Sequence, residues 1–207
     1  PLAEFALMCM LGHVRGMMHT VNAQRARHWE RFAGSDLEGK TVLVVGYGSV
    51  GREVGRMARA CGLCVLGLVR HPEGVQPSEV HADEVHGPSA LPELLPRAHF
   101  LVLAAPDTGE TENMIGGDEL AALPAGAALV NIGRGSLVDE PALIAALESG
   151  HIRGAYLDVF AKEPLPEDSP LWDMPNVILT SHSAGASDVG MDRSAELFLD
   201  NLDRHLK

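Results

Sequence analysis

Three closely spaced glycines directly after a β-branched run restrict the fold of this chain more than any other feature. The run Thr41–Val45 leads into Gly46-x-Gly48-x-x-Gly51, and a helical pattern follows. Gly46 permits a tight turn after the strand, Gly48 lets the backbone approach a pyrophosphate, and Gly51 lets the helix pack close to the sheet. The free N–H groups and the dipole at the start of such a helix favour anionic phosphates. The segment therefore predicts a dinucleotide-binding turn.

A strand–helix–strand pattern surrounds these glycines and makes the motif more specific than its spacing alone. A second apolar run, Cys64–Val69, follows the helical segment. One face of that segment is apolar and consists of Val50, Val54, Met57, Ala58 and Cys61. The alternative is a glycine-rich turn that holds no ligand.

Composition and charge restrict the class of function. The 207 residues are 46% hydrophobic and carry a formal net charge of -12 at pH 7. Nucleic-acid binding needs clustered Lys and Arg, and only short basic clusters such as Arg25, Arg27 and Arg31 occur. No apolar run is long enough to span a bilayer, and no signal peptide is expected at the start. We therefore expect a cytoplasmic protein that acts on a small molecule, with no nucleic-acid or membrane partner.

Two of the three cysteines form the pair Cys61-x-x-Cys64. A tetrahedral zinc site needs about four ligands, and no second pair accompanies this one. The pair lies where a helix ends and a strand begins, so buried thiols in a reducing compartment are favoured over a metal site. We therefore predict no bound metal.

Beyond the polar loop 35–39, strand-like and helical runs alternate. We predict strands at Thr41–Val45, Cys64–Val69, Glu84–His86, Phe100–Ala104, Ala128–Ile132, Gly154–Leu157 and Val177–Thr180. We predict helices at Val50–Ala60, Ser89–Leu95, Asp118–Leu123, Asp139–Glu148 and Asp188–His205. This alternation indicates an α/β fold, a Rossmann-like doubly wound parallel sheet with helices on both faces. The proline-rich segment Ala161–Pro175 is predicted to be irregular and to line the ligand crevice.

A long helical pattern precedes this sheet, and its apolar residues recur every three to four positions. They are Leu2, Phe5, Ala6, Cys9, Met10, Val14, Met17 and Val21. This is more apolar surface than one face against a sheet needs, and Trp29 and Phe32 follow, which are residue types that anchor interfaces. The pattern alone is compatible with an interface of an oligomer or with a segment that joins two domains. The chain does not begin with Met and looks like a start in mid-protein.

Three further segments carry ionisable residues directly after predicted strands, namely Val130–Glu140, Leu157–Leu165 and Thr180–Gly185. Such segments converge at the carboxyl edge of a parallel sheet, so Arg134, Glu163 and His182 are expected to share one pocket. An arginine between two glycines can present its planar fork to a carboxylate. A carboxylate beside a histidine favours the protonated ring and fixes its tautomer, as a reversible acid/base requires.

Each of these residues also has a structural alternative. Arg134 could be a surface ion-pair partner, Glu163 a solvated loop charge, and His182 a core histidine. Asp158, at a strand end, could cap a turn or accept a hydrogen bond from a cofactor carboxamide. Their combination behind a dinucleotide turn favours the functional interpretation.

Together, these segments and the glycine motif resemble the nucleotide-binding domain of the D-isomer-specific 2-hydroxyacid dehydrogenases. The resemblance implies that residues 1–207 form one NAD(P)-binding domain, with 1–34 as a linking and dimerisation helix. It also implies a homodimer whose interface includes residues 1–32. It implies that Arg134 binds the substrate carboxylate and carbonyl, that His182 is the general acid/base, and that Glu163 is its partner. The implied cofactor-binding residues are Gly46, Tyr47, Gly48, Ser49, Val50, Gly51, Val69, Arg70, His71, Ala105, Pro106, Ile132, Gly133, Arg134, Asp158, His182, Ala184 and Gly185.

Three departures from the family pattern stand out. Ser181 replaces the proline that commonly precedes the catalytic histidine, and Ala104 stands where a histidine is frequent two residues before Pro106. The family's first domain, which helps to hold the substrate carboxylate, has no counterpart among these residues. We therefore expect a domain that binds nucleotide by itself and lacks full activity in isolation.

The end of the second strand predicts the choice of cofactor. An NAD enzyme usually has Asp or Glu there to accept from the ribose hydroxyls, and here Val69 takes that place. The adjacent Arg70 could pair with a 2'-phosphate, which favours NADP over NAD; the alternative is an exposed arginine without a cofactor role.

The predicted reaction interconverts a D-2-hydroxy acid and its 2-keto acid by hydride transfer. One rival is a dinucleotide-sensing protein similar to the corepressors that share this fold. A second rival is an oxidoreductase whose donor is an acid or oxyanion without a hydroxyl at C2.

Overall fold

The computed structural model describes residues 1–206, apart from the side chains of Met191, Arg193 and Ser194. Its strands form one seven-stranded sheet in the order β3-β2-β1-β4-β5-β6-β7, and every pairing is parallel. The strands are β1 (Thr41–Val45), β2 (Cys64–Leu68), β3 (Glu84–His86), β4 (Phe100–Leu103), β5 (Ala127–Asn131), β6 (Ile152–Leu157) and β7 (Val177–Leu179). This confirms the predicted Rossmann-like α/β fold.

The helices in the described part of the chain precede, connect and follow these strands. They are α1 (Leu2–Val14), α2 (Met17–Arg25), α3 (Ser49–Ala60), α4 (Leu91–Leu94), α5 (Gly117–Ala122), α6 (Glu140–Glu148) and α7 (Gly190–Leu206). The predicted helix at Ser89–Leu95 contains only one α-helical turn, flanked by 3-10 turns, because Pro92 and Pro96 lack the N–H that a longer helix needs.

Two hydrophobic cores form because successive strand residues point to opposite faces of the sheet. In β1, Leu43 and Val45 belong to one core, and Val42 and Val44 belong to the other. The first core lies under α4, α5 and α6, and the second lies under α1 and α3. Both faces of the central strands are therefore covered, as the continuous apolar runs indicate.

The N-terminal helical pattern is divided into two helices. Gly16 adopts a left-handed conformation with φ of 62° between α1 and α2. Phe32 folds back against Gly16, where any Cβ would overlap its ring, so the glycine both ends α1 and admits Phe32. The N-terminal helix is therefore shorter than its apolar pattern, and residues 26–40 form neither helix nor strand.

The cysteines are free thiols, Cys9 buried and the other two, Cys61 and Cys64, partly buried. Burial raises the pKa of the Cys9 thiol to about 12. Among residues 1–206, no helix is both long and apolar enough to cross a membrane.

Candidate active site at the carboxyl edge of the sheet

The glycine turn after β1 lies where the strand order reverses, between β2 on one side and β4 on the other. Gly46 has φ of 93°, and a Cβ there would overlap the backbone of Ala104 and Ala105. A Cβ on Gly51 would overlap the carbonyl of Gly46, whereas no atom lies within 4 Å of the Cβ position of Gly48. Gly46 and Gly51 thus serve close packing, and Gly48 is open to the crevice.

The first turn of α3 supplies hydrogen-bond donors to this crevice. The first bond of the helix runs from the Arg52 N–H to the Gly48 carbonyl, at 2.8 Å. The N–H groups of Ser49, Val50 and Gly51 therefore have no acceptor within the helix. The open position of Gly48 and these donors fit a dinucleotide pyrophosphate, which residues 48–51 would hold.

The side chain of Tyr47 does not face the crevice. It is buried, its ring packs under Gly67, and its hydroxyl lies 3.0 Å from the Val80 carbonyl oxygen and 3.1 Å from that of His81. Its backbone N–H donates to the Leu68 carbonyl at 2.9 Å. Tyr47 therefore fixes the turn from behind, an arrangement that the sequence motif did not predict.

At the end of β2, the predicted selectivity residues have different surroundings. Val69 is half-buried, and its N–H donates to the His86 carbonyl at 2.9 Å. Arg70 and His71 are exposed, and Arg70 Nη2 lies 2.9 Å from both carboxylate oxygens of Glu110. Glu110 belongs to the loop after β4, and sequence reasoning missed it.

The ends of β4 and β5 meet beside the glycine turn. Ala105 is buried against Gly46, and a Cβ on Gly133 would lie 2.9 Å from the Ala105 carbonyl oxygen. Pro106 is exposed, and Ile132 is buried. These residues thus lie beside the glycine turn at the same edge of the sheet, and their contact with a cofactor stays a prediction.

Arg134 is exposed on a turn that the buried Asn131 holds. The Asn131 side chain donates to the Arg134 carbonyl at 2.9 Å and accepts from the Gly133 N–H at 3.1 Å. Arg134 Nη1 donates to the Gly133 carbonyl at 2.6 Å. Among residues 1–206 no carboxylate forms an ion pair with Arg134. Its guanidinium is therefore available to an anionic ligand.

Phe160 brings the arginine turn and the acid/base residues together. The absence of a side chain at Gly135 lets the Phe160 backbone approach, since a Cβ would overlap the Phe160 carbonyl. The Phe160 N–H donates to Glu163 Oε1 at 3.1 Å. Arg134, Phe160 and Glu163 thus lie at the same edge of the sheet.

Glu163 and His182 form a hydrogen-bonded pair. His182 Nδ1 lies 2.8 Å from Glu163 Oε2. The hydrogen bond from His182 is the main reason that the pKa of Glu163 lies below its ordinary value. Glu163 is therefore ionised near neutrality and can orient the imidazole, as predicted for the pair.

The His182 loop is held by Asp158, which is only 2% exposed. Its Oδ1 accepts from Thr180 Oγ1 at 2.6 Å, from the Ser183 N–H at 2.8 Å and from the Ala184 N–H at 3.0 Å. The Asp158 carbonyl accepts from the His182 N–H at 2.8 Å, although His182 has a left-handed φ of 52°. This cage, rather than a preceding proline, fixes the histidine at a strained backbone position.

A cleft of about 730 Å³ opens beside the pair. Besides Glu163 and His182, its walls include the apolar side chains Phe160, Pro164, Leu165, Trp172 and Leu179. Sequence reasoning named the irregular segment but not these side chains. Gly185, on the far side of the loop, is exposed and lies 3.8 Å from Leu2 Cγ, measured from its ideal Cβ position.

One family model matches residues 7–184 and describes the NAD binding domain of D-isomer specific 2-hydroxyacid dehydrogenases. The chain belongs to this family. Among its 2-hydroxyacid dehydrogenase relatives, a glyoxylate reductase of Thermococcus gammatolerans is 37% identical over 97% of this chain and 61% of its own length. A glyoxylate/hydroxypyruvate reductase B of Pectobacterium carotovorum is 37% identical over 97% of this chain and 63% of its own.

Solved structures of the same family agree with the fold. A Xanthobacter autotrophicus Py2 enzyme in complex with NADPH and MES has a TM-score of 0.88 and 37% identity, over 98% of this chain and 81% of that one. A Sinorhizobium meliloti NADPH-dependent glyoxylate/hydroxypyruvate reductase, in complex with NADP and sulfate, has a TM-score of 0.86 and 28% identity. The match covers 99% of this chain and 65% of that one. The chain spans about three fifths of the length of the first two curated relatives. The names of these relatives describe enzymes, so they do not favour the alternative of a corepressor-like protein that senses dinucleotides.

Proposed function

We propose that this chain is the cofactor-binding part of an NAD(P)-dependent oxidoreductase that interconverts a D-2-hydroxy acid and its 2-keto acid. The observation that carries the proposal is the pair of Glu163 and His182, 2.8 Å apart, at the sheet edge that also bears Arg134 and the glycine turn. The names of the relatives favour glyoxylate and hydroxypyruvate as substrates.

Arg134 binds and polarises the substrate in this proposal. Its guanidinium has no carboxylate partner in the described residues and can donate two parallel hydrogen bonds to a substrate carboxylate and carbonyl. Arg134 is exposed, and the close packing at Gly133 and Gly135 fixes the turn that presents it. The expected effect is an oriented ketone whose oxygen is ready to accept a proton.

His182 supplies that proton during reduction. Because Nδ1 is bonded to Glu163, the proton that moves is the one on Nε2. Glu163 keeps the ring in one orientation, and a bound nicotinamide cofactor would supply the hydride. In the oxidative direction His182 Nε2 accepts the hydroxyl proton, so the same pair serves both directions.

We propose NADP as the preferred cofactor, with NAD as the alternative. The absence of an acid at Val69 removes the usual acceptor for ribose hydroxyls, and the exposed Arg70 can bind a 2'-phosphate. Complexes of two similar proteins with NADPH or NADP support this choice.

A homodimer and a cytoplasmic location complete the proposal. Several apolar side chains on or after α1 and α2 are exposed, namely Met8, Leu11, Met17, Val21, Trp29 and Phe32, and Trp29 is 95% exposed. These residues support an interface within residues 1–32, in a linking and dimerisation segment that extends to residue 34. The three free thiols suit a reducing compartment.

Light scattering tests the dimer. We expect twice the mass of the 22.0 kDa chain at micromolar concentration, and the monomer mass for the double variant Trp29→Ala, Met17→Glu. A wild-type chain that is already monomeric would refute the interface.

Keto-acid turnover tests the function. For the protein purified from the organism that makes it, we expect oxidation of NADPH on addition of glyoxylate or hydroxypyruvate. His182→Ala should abolish this rate, whereas His205→Ala, on the exposed end of α7, should leave it unchanged. Equal rates in the wild type and His182→Ala would refute the proposed chemistry.

A further inference from the structure

A small cavity of about 210 Å³ lies at the amino edge of the sheet, opposite the glycine turn. It is formed where β1, β4, β5 and β6 begin, together with the end of α1. Its ionisable lining consists of His13, Lys40, His99 and Arg153. The length of β1 separates it from the active-site edge by about 15 Å, at roughly 3.3 Å per residue.

Every charged group in this lining is basic, although the chain has 28 acidic and 16 basic residues. Lys40 and Arg153 form no ion pair with a carboxylate in the part of the chain that the structure describes. Asp36, next to the lining residue Ser35, is engaged by Arg15 at 3.8 Å, and Glu38, two residues before Lys40, forms no ion pair with it in the described residues. The cavity thus concentrates positive charge in an acidic protein.

Both histidines are fixed in place. His99 Nδ1 accepts a hydrogen bond from the Thr41 N–H at 3.1 Å, so its proton resides on Nε2. The His13 ring packs edge-on against Phe100 and Tyr156, with centroids 5.8 and 6.2 Å apart. His99 thus brings an Nε2–H donor to the lining, and no carboxylate in the described part of the chain accepts from it.

The basic groups disfavour one another's charge. Burial is the main cause of the lowered pKa of His13; a hydrogen bond with the Gly126 backbone opposes this shift, and Arg153 and Lys40 lower the pKa further. Burial and Lys40 lower the pKa of His99. A bound anion would oppose these repulsions and favour the charged form of His13.

We propose that this cavity is a binding site for a small oxyanion of the phosphate class. Its volume is below the range of about 300–1,000 Å³ for pockets that take drug-sized ligands, and therefore suits a single ion. Two cations and the His99 N–H donor match the several acceptor oxygens of such an ion. The site is separate from the glycine turn and does not depend on the proposed reaction.

Histidine titration by NMR tests this site in the 207-residue chain. Inorganic phosphate, compared with sodium chloride at equal ionic strength, should raise the pKa of His13 by roughly one pH unit. The double variant Lys40→Gln, Arg153→Gln should abolish the response. The variant Arg25→Gln, Arg204→Gln, which has the same net charge, should retain it.

Thermal unfolding gives an independent measurement on the same variants. Phosphate should raise the Tm of the wild type and of the control variant but not that of Lys40→Gln, Arg153→Gln. Far-UV circular dichroism and unchanged NADPH binding establish that the variants are folded. Equal responses to phosphate and chloride, or a phosphate response that persists without Lys40 and Arg153, would overturn the proposal.

Discussion

Arg70 Nη2 lies 2.9 Å from both carboxylate oxygens of Glu110, so an ion pair joins the end of β2 to the loop after β4. Because β1 lies between these two strands, the pair spans the two sides of the glycine turn. Glu110 thus binds the same guanidinium group that would bind a 2'-phosphate. Both side chains are largely exposed, so the pair is weak and can be exchanged for a ligand.

Cofactor affinity should respond to both partners. Arg70→Ala should weaken NADPH binding about tenfold, as expected for a lost hydrogen bond to a charged group, and affect NADH little. Glu110→Gln should strengthen NADPH binding about two- to fivefold, because the competing carboxylate charge is removed. Fluorescence titration measures both, and Glu112→Gln on the same loop is the control. A preference for NADH that Arg70→Ala does not change would contradict this role.

The pair of Glu163 and His182 predicts a pH dependence of stability. The pKa of Glu163 lies below its ordinary value of 4.5, so the folded state favours the carboxylate. This contribution is fully present above that ordinary value and is lost as the pH falls through the lowered pKa. Glu163→Gln should therefore reduce the free energy of unfolding at neutral pH and have little effect in strong acid. Urea unfolding at both pH values checks this, and an equal loss in acid would count against the pair.

The same variant should shift the kinetics of reduction. In Glu163→Gln the carboxylate that orients the His182 ring is lost, so kcat for reduction should fall. Steady-state kinetics with a keto acid measure kcat, and an unchanged kcat would count against the pair.

Asp158 should contribute strongly to stability. In Asp158→Ala the buried N–H of Ala184 and the N–H of Ser183 lose their acceptor, which should cost at least about 2 kcal/mol in the free energy of unfolding. The exposed Asp173 is a matched control, and Asp173→Ala should cost about 0.5 kcal/mol or less. If denaturant unfolding gave equal losses in the free energy of unfolding for the two variants, Asp158 would not hold the His182 loop as proposed.

Arg134→Lys should separate substrate binding from cofactor binding. A lysine keeps the charge but cannot make two parallel hydrogen bonds, so KM for the keto acid should rise far more than the Kd of NADPH. Equal losses in both quantities would indicate a folding defect instead.

The sheet could be predicted from the sequence because its strands are continuous apolar runs with clear turn signals. The predicted strand Glu84–His86 is reproduced without change, and the glycine turn lies at the expected edge. The break at Gly16 was not predicted, because apolar residues continue in helical spacing from Leu2 to Val21. A glycine inside that pattern was the available signal.

The finer geometry of the site depends on partners that are distant in the sequence. The ion pair of Arg70 and Glu110 joins residues 40 positions apart, and Tyr47 contacts carbonyls more than 30 positions away. Contacts between residues so far apart leave no pattern in the local sequence. The direction of the Tyr47 side chain follows from the contact of its ring with Gly67, which only the folded sheet determines.

Isotope transfer tests the central claim, that His182 and Arg134 support hydride transfer to a 2-keto acid. The protein is purified from the organism that makes it. It is then supplied with hydroxypyruvate and with NADPH in which deuterium replaces both hydrogens on C4. We predict glycerate of the D configuration with deuterium at C2, and no labelled product with His182→Ala. Glycerate of the L configuration, or product without deuterium at C2, would contradict the account.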